Sequence, residues 1–278
     1  MAERDMEDWT GKTGDRWLAN IEGFEGMLSL LHKRLADTID PARDENILDV
    51  GCGGGPLSLM LARKLGPEGH VTGLDIAPQL IARAQARAAD EGLANVTFEA
   101  GDAGTVTPSN APFDRIVSAF GVMFFDDTLA AFTHLHGLAR KGGNLDFYAW
   151  AAPDRNPWMG IVMGVMARHV ELPERDLEGP GPFRLCDTGS TSSMLEKAGF
   201  SSVSVSEIQQ SQPLGGPGAS VGQAAEFVMS ALDVGAMMDE QGVDRSAPLA
   251  ELKQALEPFA TEQGIMLPGA VLHYSAMA

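Results

Sequence analysis

The sequence predicts an α/β fold built on a doubly wound, mostly parallel sheet. Three observations predict it. The run Asn46-Ile47-Leu48-Asp49-Val50 is apolar and β-type, and it feeds a turn with four glycines in five residues, Gly51-Cys52-Gly53-Gly54-Gly55. From 46 to 150 strand-like and helix-like patterns alternate, as crossover connections in a parallel sheet require. Acids stand at three successive predicted strand ends, Asp49, Asp75 and Asp102.

Taken in order, the first 40 residues read as helical. Trp17, Ile21, Phe24, Leu28, Leu31 and Leu35 recur at steps of three and four and form one apolar stripe. Gly23 and Gly26 weaken its middle, which predicts a kink or break there, and Asp40-Pro41 ends the segment. After the first strand, Pro56 opens a helix with Leu57, Met60, Leu61 and Leu65 as its apolar set. His70 to Asp75 is the second strand. Pro78 to Glu91 is a helix with Leu80, Ile81, Ala84 and Ala88 inward, stopped by Gly92. Asn95 to Ala100 and Phe113 to Ala119 are the third and fourth strands. Asp127 to Arg140 is a helix, and Gly142-Gly143 turns into a fifth strand, Asn144 to Trp150.

Residues 151–187 break the rhythm. Pro153, Pro157, Pro173, Pro180 and Pro182 punctuate one helical piece, Trp158 to Val170, and the stretch is expected to be an insertion folded over the site. Ser190 to Ala198 is a helix closed by Gly199, and Phe200 to Ile208 a strand. Gln209 to Gly218 is a Gly/Pro-rich loop, two helices follow at 220–241 and 246–263, and Ala270 to Ala276 is the last strand. The expected organisation is a single domain, 1–278. It comprises an N-terminal helical lid (1–40), a cofactor-binding core (41–150), an insertion (151–187), the remaining core (188–210 and 267–278) and a helical cap (211–266).

Apolar residues make up 44% of the 278, enough for a sizeable core. Lys and Arg number 20 against 38 Asp and Glu, a net charge of −18 that repels a nucleic-acid backbone. Of the two cysteines, Cys52 lies inside the glycine turn, so no structural disulfide is expected and a reducing cytoplasm fits. The chain opens on acidic residues rather than a charged-then-apolar leader, and no apolar run approaches 18 residues, so no membrane association is expected.

The glycine spacing bears on the ligand. Dinucleotide folds use G-x-G-x-x-G around a pyrophosphate. Here the glycines fall at Gly51, Gly53 and Gly55, with Asp49 on the strand before them. A carboxylate beside the turn suits a cationic group and opposes a pyrophosphate. Asp75, 26 residues on, is placed to accept ribose hydroxyls, and Ile76 offers an apolar side chain to an adenine face. Asp102 is placed to accept from the adenine amine, with the Ala103 amide available to a ring nitrogen.

The runs Ile47 to Ser58, Val71 to Ile76, Asn95 to Asp102, Phe113 to Ser118 and Lys141 to Leu145 resemble class I S-adenosylmethionine-dependent methyltransferases. The phrases Phe120-Gly121-Val122-Met123-Phe124-Phe125 and Asn156-Pro157-Trp158 resemble a bacterial subgroup related to the ubiquinone/menaquinone-type enzymes. The resemblance covers residues 15–160. It implies a Rossmann-like seven-stranded sheet with the last strand antiparallel, S-adenosyl-L-methionine as cofactor and S-adenosyl-L-homocysteine as product. It places the methionine part on Asp49 and the Gly51 and Gly53 backbone, the ribose on Asp75, the adenine on Asp102 and Ala103, and Ser118 and Phe120 beside the sulfonium. Trp17, Cys52 and Ile76 complete the expected cofactor-binding set. One departure is that about sixty residues separate the last two strands, which in the family usually form a tight hairpin. This insertion, with 151–187 and the N-terminal helix, is expected to build the substrate chamber.

Methyl transfer needs a general base only if the acceptor must lose a proton. His169, in the insertion, is the candidate. His134 and His136, two apart, cannot share a helix face and read as surface residues. Trp17, Met123, Phe124, Trp150 and Trp158 are candidates for an apolar pocket wall. No metal site is expected, because no Cys/His cluster has ligand spacing. The expected activity is methyl transfer to an O, N or C atom of a small molecule. The alternatives are a non-catalytic methyltransferase-like binding or regulatory protein and an NAD(P)-dependent oxidoreductase. Nucleic acid is disfavoured by charge and by Ser118-Ala119-Phe120-Gly121, where DNA amino-methyltransferases carry a D/N/S-P-P-Y/F run. The oligomeric state is left open, a homodimer being compatible with the sequence.

Overall fold

A computed structural model describes residues 8–172, 179–232 and 234–278. Pro173 of the expected insertion and the acidic opening over 1–7 lie outside the described residues. Among the described residues there are ten strands: β1 (Asn46–Val50), β2 (His70–Asp75), β3 (Val96–Ala100), β4 (Phe113–Ala119), β5 (Ala139–Trp150), β6 (Ser201–Gln209), β7 (Gln212–Pro213), β8 (Ala260–Thr261), β9 (Gly264–Leu267) and β10 (Ala270–Met277). The helices are α1 (Lys12–Ala19), α2 (Ile21–Ile39), α3 (Pro56–Lys64), α4 (Pro78–Asp90), α5 (Thr128–Leu138), α6 (Pro157–Met166), α7 (Thr188–Lys197), α8 (Val221–Ala231), α9 (Val234–Glu240) and α10 (Ser246–Leu256).

Seven strands form one sheet in the order β3-β2-β1-β4-β5-β10-β6. Strands β1 to β5 pair in parallel, while β10 runs antiparallel between β5 and β6. The expected seven strands with an antiparallel last strand are therefore present. The strand order reverses between β1 and β4, and the crevice beyond their carboxyl ends is where open α/β sheets bind ligands.

Strand β1 is buried on both faces, Ile47 and Leu48 being fully enclosed, so it reads as a continuous apolar run rather than an alternating one. In α4 the buried set is Leu80, Ile81, Ala84 and Ala88, the stripe that 3.6-residue spacing predicts. Pro56 and Pro78 occupy first-turn positions where no amide hydrogen is needed. Asp127 caps α5 by accepting from Ala130 N at 2.9 Å, and Asp187 caps α7 by accepting from Ser190 N at 2.8 Å. Such caps are worth about 1 kcal/mol each.

Three expectations are corrected. The helical break falls at Asn20, between α1 and α2, and α2 runs unbroken through Gly23 and Gly26. Those glycines serve close approach: a Cβ at Gly23 would stand 2.4 Å from the Phe227 ring, and one at Gly26 2.8 Å from the Gly216 Cα. Second, β5 begins at Ala139 rather than after the glycine pair, because Ala139 already pairs with Phe113 and a register shift absorbs the extra residues. Third, 211–266 is not purely helical. The last of its helices stops at Leu256, a 3₁₀ turn at Glu257–Phe259 includes Pro258, and β8 and β9 pair across a turn ending in Gly264 at φ 108°. With β7 they make a second, three-stranded sheet.

Asn156 fastens the segment after β5 to the sheet. It is fully buried, its Nδ2 donates to the Ala151 and Ala270 carbonyls at 2.8 and 3.0 Å, and its Oδ1 accepts from Ala270 N at 3.1 Å and Trp158 Nε1 at 3.3 Å. Among the described residues no helix is long and apolar enough to cross a membrane.

Candidate cofactor-binding site

The three acids stand at the carboxyl ends of β1, β2 and β3, on the crevice side of the sheet. Asp49 is 1% exposed. Ser58 Oγ, from the first turn of α3, donates to Asp49 Oδ2 at 2.6 Å, whereas Asp49 Oδ1 has no hydrogen-bond partner among the described residues. Burial pushes this carboxyl up to about 7; the Ser58 hydrogen bond opposes the rise and the nearby Asp75 charge adds to it. Asp75 accepts from Gly53 N at 2.8 Å through Oδ2 and from Ala77 N at 2.9 Å through Oδ1. Burial raises its pKa against these two amides.

The turn is left-handed at each alternate glycine, with φ of 67° at Gly51, 55° at Gly53 and 86° at Gly55. Gly51 and Gly53 differ in what surrounds them. A Cβ at Gly51 would come within 2.6 Å of the Gly121 Cα, because the chain leaving β4 crosses β1 there. A Cβ at Gly53 would meet nothing within 4 Å. Gly53 therefore presents bare backbone to open space at the head of α3.

Ser118 does not face that space with a free hydroxyl. Its Oγ donates to the Val50 carbonyl at 2.7 Å and accepts from Gly121 N at 3.1 Å, tying β4 to β1 at the crossing. Phe120 is held at φ 71° and stacks on Trp150 with ring centroids 4.7 Å apart. Asp102 accepts from Gly104 N at 2.8 Å and from Thr105 Oγ1 at 3.3 Å, so it also closes its own turn, with Ala103 buried beside it. Ile76 is 42% exposed, an uncovered apolar side chain directly after Asp75. Trp17 lies flat on Phe24 at 3.8 Å and packs with Ile21, Ala77 and Leu80, over the end of β2. Cys52 is buried, and burial raises its thiol well above the usual value.

Residues missed at the sequence level complete the wall. Arg87 of α4 donates to the Gly54 carbonyl at 2.9 Å and to Glu25 of α2 at 2.7 Å, so a half-buried ion pair braces the turn. No local pattern marks that pair, since the partners are 62 residues apart. Ser58 had a signal, a hydroxyl in the helix's first turn after an acid-ended strand. His169 lies past the end of α6 with its Nε2 3.2 Å from Glu251 of α10. His134 contacts the Val106 carbonyl, His136 packs edge-on to Phe200, and His273 sits 3.1 Å from Asp146. Met123 is buried after β4, and Trp150 and Trp158 contact each other at 5.4 Å.

A family model described as "Methyltransferase domain" matches residues 47–143, the stretch that holds all three acids. The aklanonic acid methyltransferase of Streptomyces sp. (strain C5) is 34% identical over 140 residues, 50% of this chain and 61% of that protein, so the match spans less than two thirds of that relative. Nocamycin O-methyltransferase of Saccharothrix syringae is 30% identical over 200 residues, 67% of this chain and 69% of the relative. A demethylmenaquinone methyltransferase of Listeria monocytogenes serotype 4a is 29% identical over 173 residues, 57% and 70% of the two chains. Among solved structures, Haemonchus contortus phosphoethanolamine N-methyltransferase 2 in complex with S-adenosyl-L-methionine shares the fold, with a TM-score of 0.60 at 15% identity over 99% of this chain and 60% of that one.

Proposed function

The chain belongs to the class I S-adenosylmethionine-dependent methyltransferases, and from that premise we propose that it methylates a small, largely apolar acceptor. The observation that carries the reading is the open backbone at Gly53 together with an Asp49 Oδ1, on the strand that feeds the turn, unpartnered among the described residues. A cation with an adenosine attached fits this donor set. The Asp49 carboxylate answers an ammonium group, the Gly53 turn and helix head take up a polar chain, and Asp75 keeps acceptor capacity for ribose hydroxyls beyond its two amide bonds. A pyrophosphate would face Asp49 and Asp75 across the same turn, which disfavours a nicotinamide dinucleotide. Bound there, S-adenosylmethionine supplies an activated methyl group for in-line displacement.

The chain's own residues supply position and dryness. Phe120 on Trp150, Trp158 beside it, and the wall formed by Trp9, Trp17, Phe24 and Phe124 give apolar surfaces that exclude water and orient an acceptor. The relatives' names differ in acceptor, so none is carried over. His169 is the proposed base only for an acceptor that must lose a proton, its Nε2 standing 3.2 Å from Glu251 of α10. The reading keeps nucleic acid out on charge and places the chain in a reducing cytoplasm on its two free thiols.

Calorimetric titration with S-adenosylmethionine, S-adenosylhomocysteine and NADH tests the cofactor. Micromolar binding of the first two with none for NADH supports it, and binding of NADH alone overturns it. Labelled cofactor with a panel of phenols, enols and amines then tests transfer. Turnover on any acceptor removes the non-catalytic alternative.

A further inference from the structure

Beneath the glycine turn, Asp49 is a buried acid with one oxygen used and one unused. Oδ2 takes the Ser58 hydroxyl, and Oδ1 is enclosed with no donor among the described residues. In the sheet its neighbours are Gly73 on β2 and Val117 on β4, which bring no polar side chain. The other ionisable groups around it do not supply a cation. From β2 comes Asp75, already an acid, and from the turn the Cys52 thiol. Arg87 of α4 is committed to Glu25 of α2 and the Gly54 carbonyl. Further along α2, His32 is fully buried, and burial lowers its pKa to about 4, so it is neutral. An ionised Asp49 would thus be a buried charge with a single hydrogen bond beside a second acid, an arrangement that strongly favours holding a proton.

We propose, resting on the cofactor reading above, that Asp49 is a proton switch coupled to cofactor occupancy. In the protein without cofactor the carboxyl carries its proton on Oδ1. When the ammonium group of the cofactor's amino-acid part arrives at that oxygen, the O–H bond breaks, the proton leaves to solvent, and a carboxylate–ammonium pair forms. One positive charge enters and one proton departs, so the net charge of the pocket is unchanged. The acid before the turn is therefore a titrating partner whose ionisation the ligand drives, and affinity depends on pH well above the ordinary carboxylate range. The fact that burial and Asp75 push this carboxyl up to about 7 sets the window.

The experiment is calorimetric titration of the intact protein with S-adenosylhomocysteine, in pairs of buffers of contrasting ionisation enthalpy, from pH 5.5 to 7. The range stays below the usual α-amino pKa, about 7.7–8.0, so the ligand's ammonium is charged throughout. The expected release is close to one proton per ligand at pH 6, with affinity rising roughly fivefold between pH 6 and pH 7. 5′-Methylthioadenosine lacks the amino-acid part and should bind with no release. Asp49→Asn should bind S-adenosylhomocysteine with no release and a flat profile; the wild-type ligand pair decides the matter if that variant fails to fold. Binding of S-adenosylhomocysteine without buffer dependence at pH 6 overturns the switch alone. Equal release with methylthioadenosine also overturns it, by moving the proton to Asp75 on the ribose side. No binding of either ligand overturns the cofactor reading and the switch together.

Discussion

Replacing glycine by alanine at two positions of one turn separates scaffold from ligand surface. Both Gly51 and Gly53 are left-handed, at φ 67° and 55°, so each alanine carries a backbone cost of about 1–2 kcal/mol. At Gly51 the new methyl also stands 2.6 Å from the Gly121 Cα, a backbone atom that cannot swing aside. Overpacking of that kind adds about 1–3 kcal/mol, so Gly51→Ala should lose about 3–4 kcal/mol, a large share of an ordinary domain's 5–15 kcal/mol. At Gly53 the methyl meets nothing within 4 Å, so the loss should stay near the backbone cost. Its effect should appear in binding instead, as the methyl occupies space reserved for the ligand. A tenfold or greater loss of S-adenosylhomocysteine affinity is expected, about 1.4 kcal/mol or more. Urea unfolding gives the first quantity and calorimetry the second. If Gly53→Ala bound as tightly as wild type, or unfolded as readily as Gly51→Ala, the open face of Gly53 would not be a ligand surface.

Four further outcomes are expected. Asn156→Ala strands the Ala270 amide and two carbonyls, so it should lose about 3–5 kcal/mol in urea unfolding while leaving the glycine turn intact. His32, lowered from 6.5 to about 4 by burial, binds its proton more weakly folded than unfolded; its contribution falls as pH drops from about 6.5 toward 4, by about 3 kcal/mol in all. His32→Phe should therefore gain stability over wild type at pH 5 more than at pH 8. Asp49, raised from 3.8 to about 7 chiefly by burial, binds its proton more tightly folded, so its ionisation costs stability as pH rises through 4 to 7, and Asp49→Asn should gain more at pH 8 than at pH 5. Opposite trends in paired thermal melts at the two pH values would sink these two assignments. Iodoacetamide on the folded protein should modify the half-buried Cys186 before Cys52, whose buried thiol is raised well above the ordinary range; peptide mapping that finds Cys52 labelled first would contradict its enclosure.

The sheet from β1 to β5 was legible because its strands carry apolar β-type runs whose ends are punctuated, as at Val50-Gly51 and Ala119-Phe120-Gly121. The acids were legible for a related reason: Asp49, Asp75 and Asp102 each follow or close an apolar run, and topology alone brings such ends together. What the sequence did not disclose is what each side chain does locally. Ser118 reads as a crevice residue, yet its hydroxyl is spent holding Val50 to Gly121. Asn156 reads as part of a family phrase, and its conformation explains the phrase as a staple between β5 and β10. Gly23 and Gly26 read as helix weakeners, because propensity is local while the ring of Phe227 and the backbone of Gly216 arrive from about 200 residues away. The Arg87–Glu25 brace escaped for the same reason.

The detour between β6 and β10 has a consequence for how such chains diversify. Two neighbouring strands that a short turn could join are instead connected by about sixty residues. Lengthening a flexible loop from four residues to sixty costs about 2 kcal/mol of closure entropy, and here the excursion recovers it through its own packed helices and three-stranded sheet. The sheet's far side therefore works as a docking port for an exchangeable cassette. The strand ends that carry Asp49, Asp75 and Asp102 lie outside those sixty residues, so the excursion can change without altering them.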